Sequence, residues 1–412
     1  MTDADRQSPP SPRRGIAFSS AMQTHFAKVR RPAYWCRLFA NPVLLLAMCG
    51  AAAGVTLLKS QAHGPKFAQQ RSSMERESVW TGELRLRASL PQERPVAAIA
   101  WSPDGERLAV ADRNGNGMAV WDWAAGKRLF RVTKQAAKSH SIAFMPSGKT
   151  LVTESLQGVD EIRAGTQTTS LTILDAYSGE VMRALDGPIP GKPNSARLFT
   201  ISTDGRYIAM VPSGQPNLVT IYETDSYAVV ERFEWPVETM SFSPKGHLLA
   251  LGGWDGSVLL HGIDDSELNK EFVAQPSGIT ALAYTPNGST LLAGMISVLW
   301  GSPPKDLSPE KAEEIDRHKI RAFDVQTGDL VGSINATLPR IFSISFHPNG
   351  KVFATACEIE AYVFDASTFT MLRKLPVSSG FVPSVAFSPD GKLIAVAESQ
   401  SVSVYRPAEL AE

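Results

Sequence analysis

The chain has 412 residues, 43% of them hydrophobic, with 31 glycines and 28 prolines, a composition that supplies a large core broken by many turns and argues against long helices. Formal charge is zero, yet residues 1–90 carry 13 Lys/Arg against 5 Asp/Glu and the remainder 28 against 36, so the globular part is acidic and a poor match for nucleic acid, which needs a basic face. Three cysteines, Cys36, Cys49 and Cys357, allow no disulfide within that part, and Cys357 reads as a small apolar strand residue.

Residues 1–37 form a basic tail whose first 27 residues are polar, hold Pro9, Pro10 and Pro12, and show no sustained period, so disorder is expected. Residues 38–58, LFANPVLLLAMCGAAAGVTLL, hold no formal charge over a length that fits a bilayer core, with Tyr34 and Trp35 just before them at the expected interface. Lys28, Arg30, Arg31 and Arg37 before the segment outweigh Lys59 and Lys66 after it. The expectation is a single-pass membrane helix with a cytoplasmic N-terminus and the rest of the chain on the extracytoplasmic, periplasmic side. A signal peptide cleaved near Ala62 is the alternative, because Ser60-Gln61-Ala62 has the small-x-small form of a cleavage site. Residues 59–78 read as a polar linker.

From residue 79 onward a four-residue turn recurs seven times: Ser102-Pro103-Asp104-Gly105, Met145-Pro146-Ser147-Gly148, Ser202-Thr203-Asp204-Gly205, Ser243-Pro244-Lys245-Gly246, Thr285-Pro286-Asn287-Gly288, His347-Pro348-Asn349-Gly350 and Ser388-Pro389-Asp390-Gly391. Proline presets φ, Asp or Asn accepts backbone hydrogen bonds and Gly accepts φ > 0, so the motif predicts a tight turn between two strands. An aromatic or isoleucine stands four residues before each glycine (Trp101, Phe144, Ile201, Phe242, Tyr284, Phe346, Phe387). Four residues after it comes a mostly small apolar residue (Ala109, Val152, Ala209, Ala250, Leu292, Ala354, Ala395) in a run apolar on both faces, which predicts sheets covered on both sides. A third strand ending in pairs such as Trp121-Asp122 or Phe364-Asp365 and a fourth such as Lys127 to Val132 or Asp329 to Ile334 complete each unit as a four-stranded antiparallel sheet.

These units resemble WD repeats, and the resemblance covers about residues 79–406, ahead of a short tail at 407–412. It implies an all-β, seven-bladed β-propeller. The repeats are degenerate: the Gly-His of the family survives at most as His140, its Trp-Asp dipeptide stands in position only as Trp121-Asp122, and Trp254-Asp255-Gly256 resembles the turn between second and third strands. Blade stability is therefore expected from apolar packing. The last repeat, ending at Tyr405, lacks a fourth strand, whereas Glu83 to Leu90 alternates apolar residues as such a strand would, so the N-terminal segment is expected to complete the last blade and close the ring.

Successive turn glycines are separated by 43, 57, 41, 42, 62 and 41 residues, so the second and fifth units carry insertions, 155–168 and 295–319, and a long connection, 186–195, joins units two and three. In the topology that the resemblance implies, all three emerge on one face, opposite the Pro-x-Gly turns. That face is the candidate surface for a protein partner. Its candidate contacts are Leu299, Trp300, Glu313, Glu314 and Ile315 in the 295–319 insertion, where Ser308-Pro309-Glu310 predicts a helix start, together with Trp254. No haem, zinc, nucleotide, calcium or serine-hydrolase motif occurs, and the histidines are scattered, so neither a catalytic set nor a cofactor is expected. The reading is a membrane-anchored interaction platform or a scaffold component of a membrane-associated complex. The alternative is an extracytoplasmic enzyme or ligand sensor, lactonase-like or quinoprotein-like, with its site at the central channel.

Overall fold

The computed structural model describes residues 80, 82–113, 117–133, 141–157, 168–185, 198–211, 217–274, 277–296, 308, 310–311, 313, 319–336, 338–378 and 380–408. The basic tail, the apolar segment 38–58, the linker 59–78, His140 and the connection 186–195 lie outside them. Among the described residues no helix is long and apolar enough to cross a membrane.

The described residues form seven four-stranded antiparallel sheets. Blade 1 is typical: Val96–Trp101, Arg107–Asp112, Met118–Asp122 and Lys127–Val132 pair in sequence order. Second strands such as Arg107–Asp112 and Val352–Cys357 are buried at every position, because a neighbouring blade covers each face. Fourth strands leave Leu129, Val230, Val331 and Met371 exposed on the outer rim. First strands of consecutive blades pack on one another at six of the seven junctions and so line the axis; between blades 2 and 3 they part around a cavity of about 400 Å³.

Each junction is filled by its own apolar cluster. Ala109, Val120, Phe144 and Leu174 join blades 1 and 2, for example, and Phe353, Phe364, Ile320 and Ile341 join blades 5 and 6. The expected dependence on apolar packing holds, with hydroxyl networks added at the turns. In blade 7 the Ser388 hydroxyl donates to Asp390 Oδ1 (2.6 Å) and accepts from the Leu393 amide (3.0 Å), while the same carboxylate accepts from the Lys392 amide (3.0 Å). The arrangement repeats at Ser202/Asp204 and, with Thr and Asn, at Thr285/Asn287. These bonds hold the Asp104, Asp204 and Asp390 carboxyls below their ordinary range against the opposing effect of burial. All seven turn glycines sit at φ between +67° and +84°. At most junctions the proline of one turn also lies against the glycine of the next, so that a Cβ on Gly148 would stand 3.6 Å from Pro103 and one on Gly205 3.3 Å from Pro146.

Ring closure is as expected, with shifted boundaries. The N-terminal strand is Leu84–Pro91 rather than Glu83 to Leu90. It pairs with Ser401–Pro407, which continues two residues past Tyr405 because Leu84 and Arg85 face Pro407 and Arg406. Its alternation does not place every apolar residue on one face. A bulge between Leu86 and Ala88 leaves Leu86 exposed, sends Leu84 to the junction of blades 6 and 7, and sends Ala88 and Leu90 to the junction of blades 7 and 1. Trp80 belongs to the fold as well: 4% exposed, it packs edge-on against Phe387 at 4.9 Å.

Two further boundaries differ. The blade 2 insertion does not begin at residue 155, because Thr150–Gln157 and Thr168–Asp175 pair out to Gln157 opposite Thr168, extending the hairpin by backbone hydrogen bonding. The fourth strand of blade 5 is Leu330–Ser333, one residue shorter at each end than the sequence pattern.

Candidate functional site

The strand directions fix two faces. The Pro-x-Gly turns and the third-to-fourth connections share one; the second-to-third connections and the links between blades share the other, which carries the insertions. The chain enters on the turn face. Arg373 Nη1 donates to the Gly82 carbonyl there, and the Glu83 carbonyl accepts from the Ala408 amide (2.8 Å). The elaborated face therefore lies at the opposite end of the strands from that entry.

Of the residues singled out by sequence, Trp254 sits on this face in the turn after Leu248–Gly252, where Asp255 accepts from the Ser257 amide (3.0 Å) and hydroxyl (2.5 Å). The indole is 55% exposed and rests on Gly278, where a Cβ would come within 3.3 Å of the ring. Glu313 is helical and exposed. Ser308 caps that helix by accepting from the Lys311 amide (3.3 Å), as its spacing predicted. The insertion leaves and returns through a neck closed by Met295 N donating to Lys319 O (3.0 Å). Leu299, Trp300, Glu314 and Ile315 lie outside the described residues.

The structure also assembles a cluster that sequence reasoning missed. Arg340 and Phe342 lie at the start of the first strand of blade 6, Phe381 in the link into blade 7, Arg113 directly after the second strand of blade 1, and Glu238 directly before the first strand of blade 4. The Arg113 guanidinium stacks 4.1 Å over Phe381, Phe381 meets Phe342 edge-on at 4.8 Å, and Arg340 lies 5.0 Å over Phe342. Arg340 Nη2 approaches Glu238 Oε1 at 3.5 Å, spanning from blade 6 to blade 4 beside the first strand of blade 5. The second carboxylate oxygen of Glu238 is buried and accepts no hydrogen bond. Burial pushes the Glu238 carboxyl up to about 7, and the Arg340 charge offsets only part of that. No short motif marks these five residues, because they come from four blades.

A raised carboxylate has a defined effect on stability. The folded state holds its proton up to about pH 7, whereas the unfolded chain releases it near 4.5, so the contribution of Glu238 falls as pH rises between those values and is level above. Glu238→Gln is expected to remove that decline, on the order of 2–3 kcal/mol. Thermal melting from pH 5 to 8 checks this; the turn carboxylates titrate in a separate, more acidic window.

Cys357 is fully buried, and burial pushes its thiol up to about 12, consistent with an inert core residue. Among the described residues no cluster of three or more His, Cys, Asp or Glu could hold a metal. Among the described residues, the cavity between blades 2 and 3 is lined by Ser141, Thr200, Ser202 and Thr203 with Phe144, Phe199 and neighbouring apolar residues, none of them charged.

Comparison with known proteins follows the same repeat. The WD domain, G-beta repeat family matches residues 230–261 and 369–406, each running from the fourth strand of one blade through the third strand of the next. An uncharacterized WD repeat-containing protein of Synechocystis is 26% identical over 200 residues, 46% of this chain and 53% of that protein. Actin-interacting protein 1 of Drosophila melanogaster is 25% identical over 209 residues, 48% of this chain and 31% of that protein. Periodic tryptophan protein 2 homolog of Mus musculus is 23% identical over 301 residues, 64% and 31%. The chain thus spans about half or less of each of these relatives. A repeat unit staggered by one strand against the blade requires a ring closed by a strand from the opposite end of the chain, which is what Leu84–Pro91 provides; the described residues thus form a seven-bladed β-propeller whose repeats are similar to those of the WD domain, G-beta repeat family.

Proposed function

We infer that this protein is a membrane-anchored interaction platform that binds a protein partner through the elaborated face of its propeller. The observation that carries the reading is the concentration on that face of an exposed tryptophan, two arginines stacked on phenylalanines, and the neck of the 295–319 insertion, at the far end of the strands from the point of chain entry. Aromatic and arginine anchors dominate interface energetics, and a rigid ring presents them without ordering cost. The anchor rests on the uncharged segment 38–58 and its basic flank, with the propeller on the extracytoplasmic side.

Affinity capture from detergent-solubilised membranes tests both parts. The full chain is expected to fractionate with membranes and to retain a stable partner, whereas Trp254→Ala should weaken that partner by roughly 30-fold or more, the usual cost of losing a tryptophan anchor, with melting unchanged because the indole is exposed. Recovery of the chain in the soluble fraction would remove the anchor; equal retention by wild type and variant would remove Trp254 from the interface. A second reading, a ligand sensor at the central channel, draws support from the charged cluster at the channel mouth.

A further inference from the structure

We propose that the elaborated face receives an acidic segment of the partner protein at Arg113 and Arg94, with Phe381 and Ile359 as the apolar contacts beside them. The proposal rests on the platform reading above and adds to it the chemistry of the partner.

The pairing of charges around the link into blade 1 points this way. Two arginines there are already matched: Arg128 Nη1 donates to Glu93 Oε1 (2.8 Å), and Arg131 Nη2 donates to Asp112 Oδ2 (2.7 Å). Two others are not. The Arg113 amide donates to the Pro95 carbonyl (2.6 Å), which sets Arg113 beside Arg94 on the surface; both are exposed, and among the described residues neither takes part in an ion pair. Glu358, exposed in blade 6, pairs with neither of them. Residues 91–412 carry 28 Lys/Arg against 36 Asp/Glu, so two adjacent unmatched guanidiniums stand on an acidic body. Such a spot steers a negatively charged partner to one place and one orientation.

Arg113 is also held in readiness. Its guanidinium lies over the Phe381 ring at 4.1 Å, Phe342 braces that ring edge-on at 4.8 Å, and the Phe381 amide donates to the Ser399 hydroxyl (2.8 Å). A guanidinium stacked by its face keeps its N–H edge for an acceptor, and a carboxylate meets that edge with two parallel hydrogen bonds. Little ordering is then needed on binding. Arg340, over Phe342 and 3.5 Å from Glu238, is already engaged and is not among the recognition groups.

An apolar surface adjoins the charge. The Val382 amide donates to the Glu358 carbonyl (2.6 Å), which draws the turn between the second and third strands of blade 6 against the link that carries Phe381 and leaves Ile359 beside it, 62% exposed. A segment that sets an acidic side chain on Arg113 meets this surface with its neighbouring residues. The combination favours protein over other anions: nucleic acid needs phosphate contacts along a basic track, and the body beyond these two arginines is acidic, while a free dicarboxylate would leave Ile359 and Phe381 uncovered.

The test is fluorescence anisotropy with the full chain in nonionic detergent micelles. The probe is an end-capped, dye-labelled hexapeptide, Glu-Glu-Leu-Phe-Glu-Glu; its counterparts carry glutamine or lysine in place of the four glutamates, and a single-stranded oligothymidylate is the contrasting polyanion. The acidic peptide is expected to bind and to weaken as salt is added, with the glutamine and lysine counterparts and the oligothymidylate bound far less. Arg113→Gln should weaken the acidic peptide about tenfold, the usual scale of a charge-assisted contact, and Arg113→Lys should restore only part of that. Arg94→Gln combined with Arg113→Gln should lose binding, while both variants melt as wild type because the side chains are exposed. No binding of the acidic peptide by wild type, equal binding of the glutamine counterpart, equal binding by Arg113→Gln, or preference for the oligothymidylate would each overturn the proposal. The platform reading fails by a different result, the absence of a Trp254-dependent partner in affinity capture, and a captured partner that is lost in Trp254→Ala but kept in Arg113→Gln would leave the platform standing and remove the acidic segment.

Discussion

A chain that begins at Gln92 is expected to lose its cooperative melting transition or to melt at least 10 °C lower, and to self-associate. Such a truncation removes Trp80 and the whole of Leu84–Pro91. Two buried anchors go with it, Trp80 at 4% and Leu90 at 0% exposure, from two different blade junctions. Large-to-small changes at comparable core sites cost about 3–5 kcal/mol for tryptophan and 2–5 kcal/mol for leucine. Their sum rivals the roughly 5–15 kcal/mol by which a folded domain exceeds its unfolded state. The loss also uncovers the backbone of Ser401–Pro407 along seven residue pairings, and an unpaired apolar edge recruits strands from other copies. Calorimetry and gel filtration of the truncated and full chains check it; a monomeric product with the full-length transition would refute the closure.

Arg107→Ala is expected to destabilise the propeller by roughly 3 kcal/mol. Its guanidinium is buried at the junction of blades 1 and 2, where Nη1 donates to the Ala176 carbonyl (2.9 Å) and Nη2 to the Gly148 carbonyl (3.0 Å). Asp104 balances the charge at 3.4 Å, and the side chain is sandwiched between Tyr177 at 4.2 Å and Phe144 at 5.4 Å. Truncation to alanine leaves two carbonyls without their charged donor and removes the aliphatic stem from the junction. Because Asp104 is partly exposed, it recovers solvent and adds little to the cost. Chemical denaturation measures the difference, and Arg107→Lys should recover only part of it, since one ammonium cannot span both carbonyls as a planar fork does. A change below 0.5 kcal/mol, typical of neutral surface positions, would show that blade 2 does not depend on this clamp.

Whatever each repeat specifies locally was legible in the chain alone. Seven turns that end in glycine, six of them with a proline two residues before it, require seven hairpins, because only glycine takes the left-handed backbone at that position without strain, and their spacing counts the blades. The closing strand was legible for the same reason: Glu83 to Leu90 carries a strand pattern and the last repeat lacks one. Its bulge was not, since the period of two is the same on either side of an inserted residue and only the pairing with Tyr405 and Val404 shows which face each leucine takes. The role of Trp80 was not legible either, because its partners, His347 and Phe387, are some 270 residues or more away in the chain. The cluster at the channel mouth is the extreme case. Arg113, Glu238, Arg340 and Phe381 are each unremarkable among their neighbours in the chain, and no spacing relates them. Closure of the ring carries them to one rim, and there the distance and burial of Glu238 against Arg340, which no single repeat encodes, set the proton affinity of the Glu238 carboxyl.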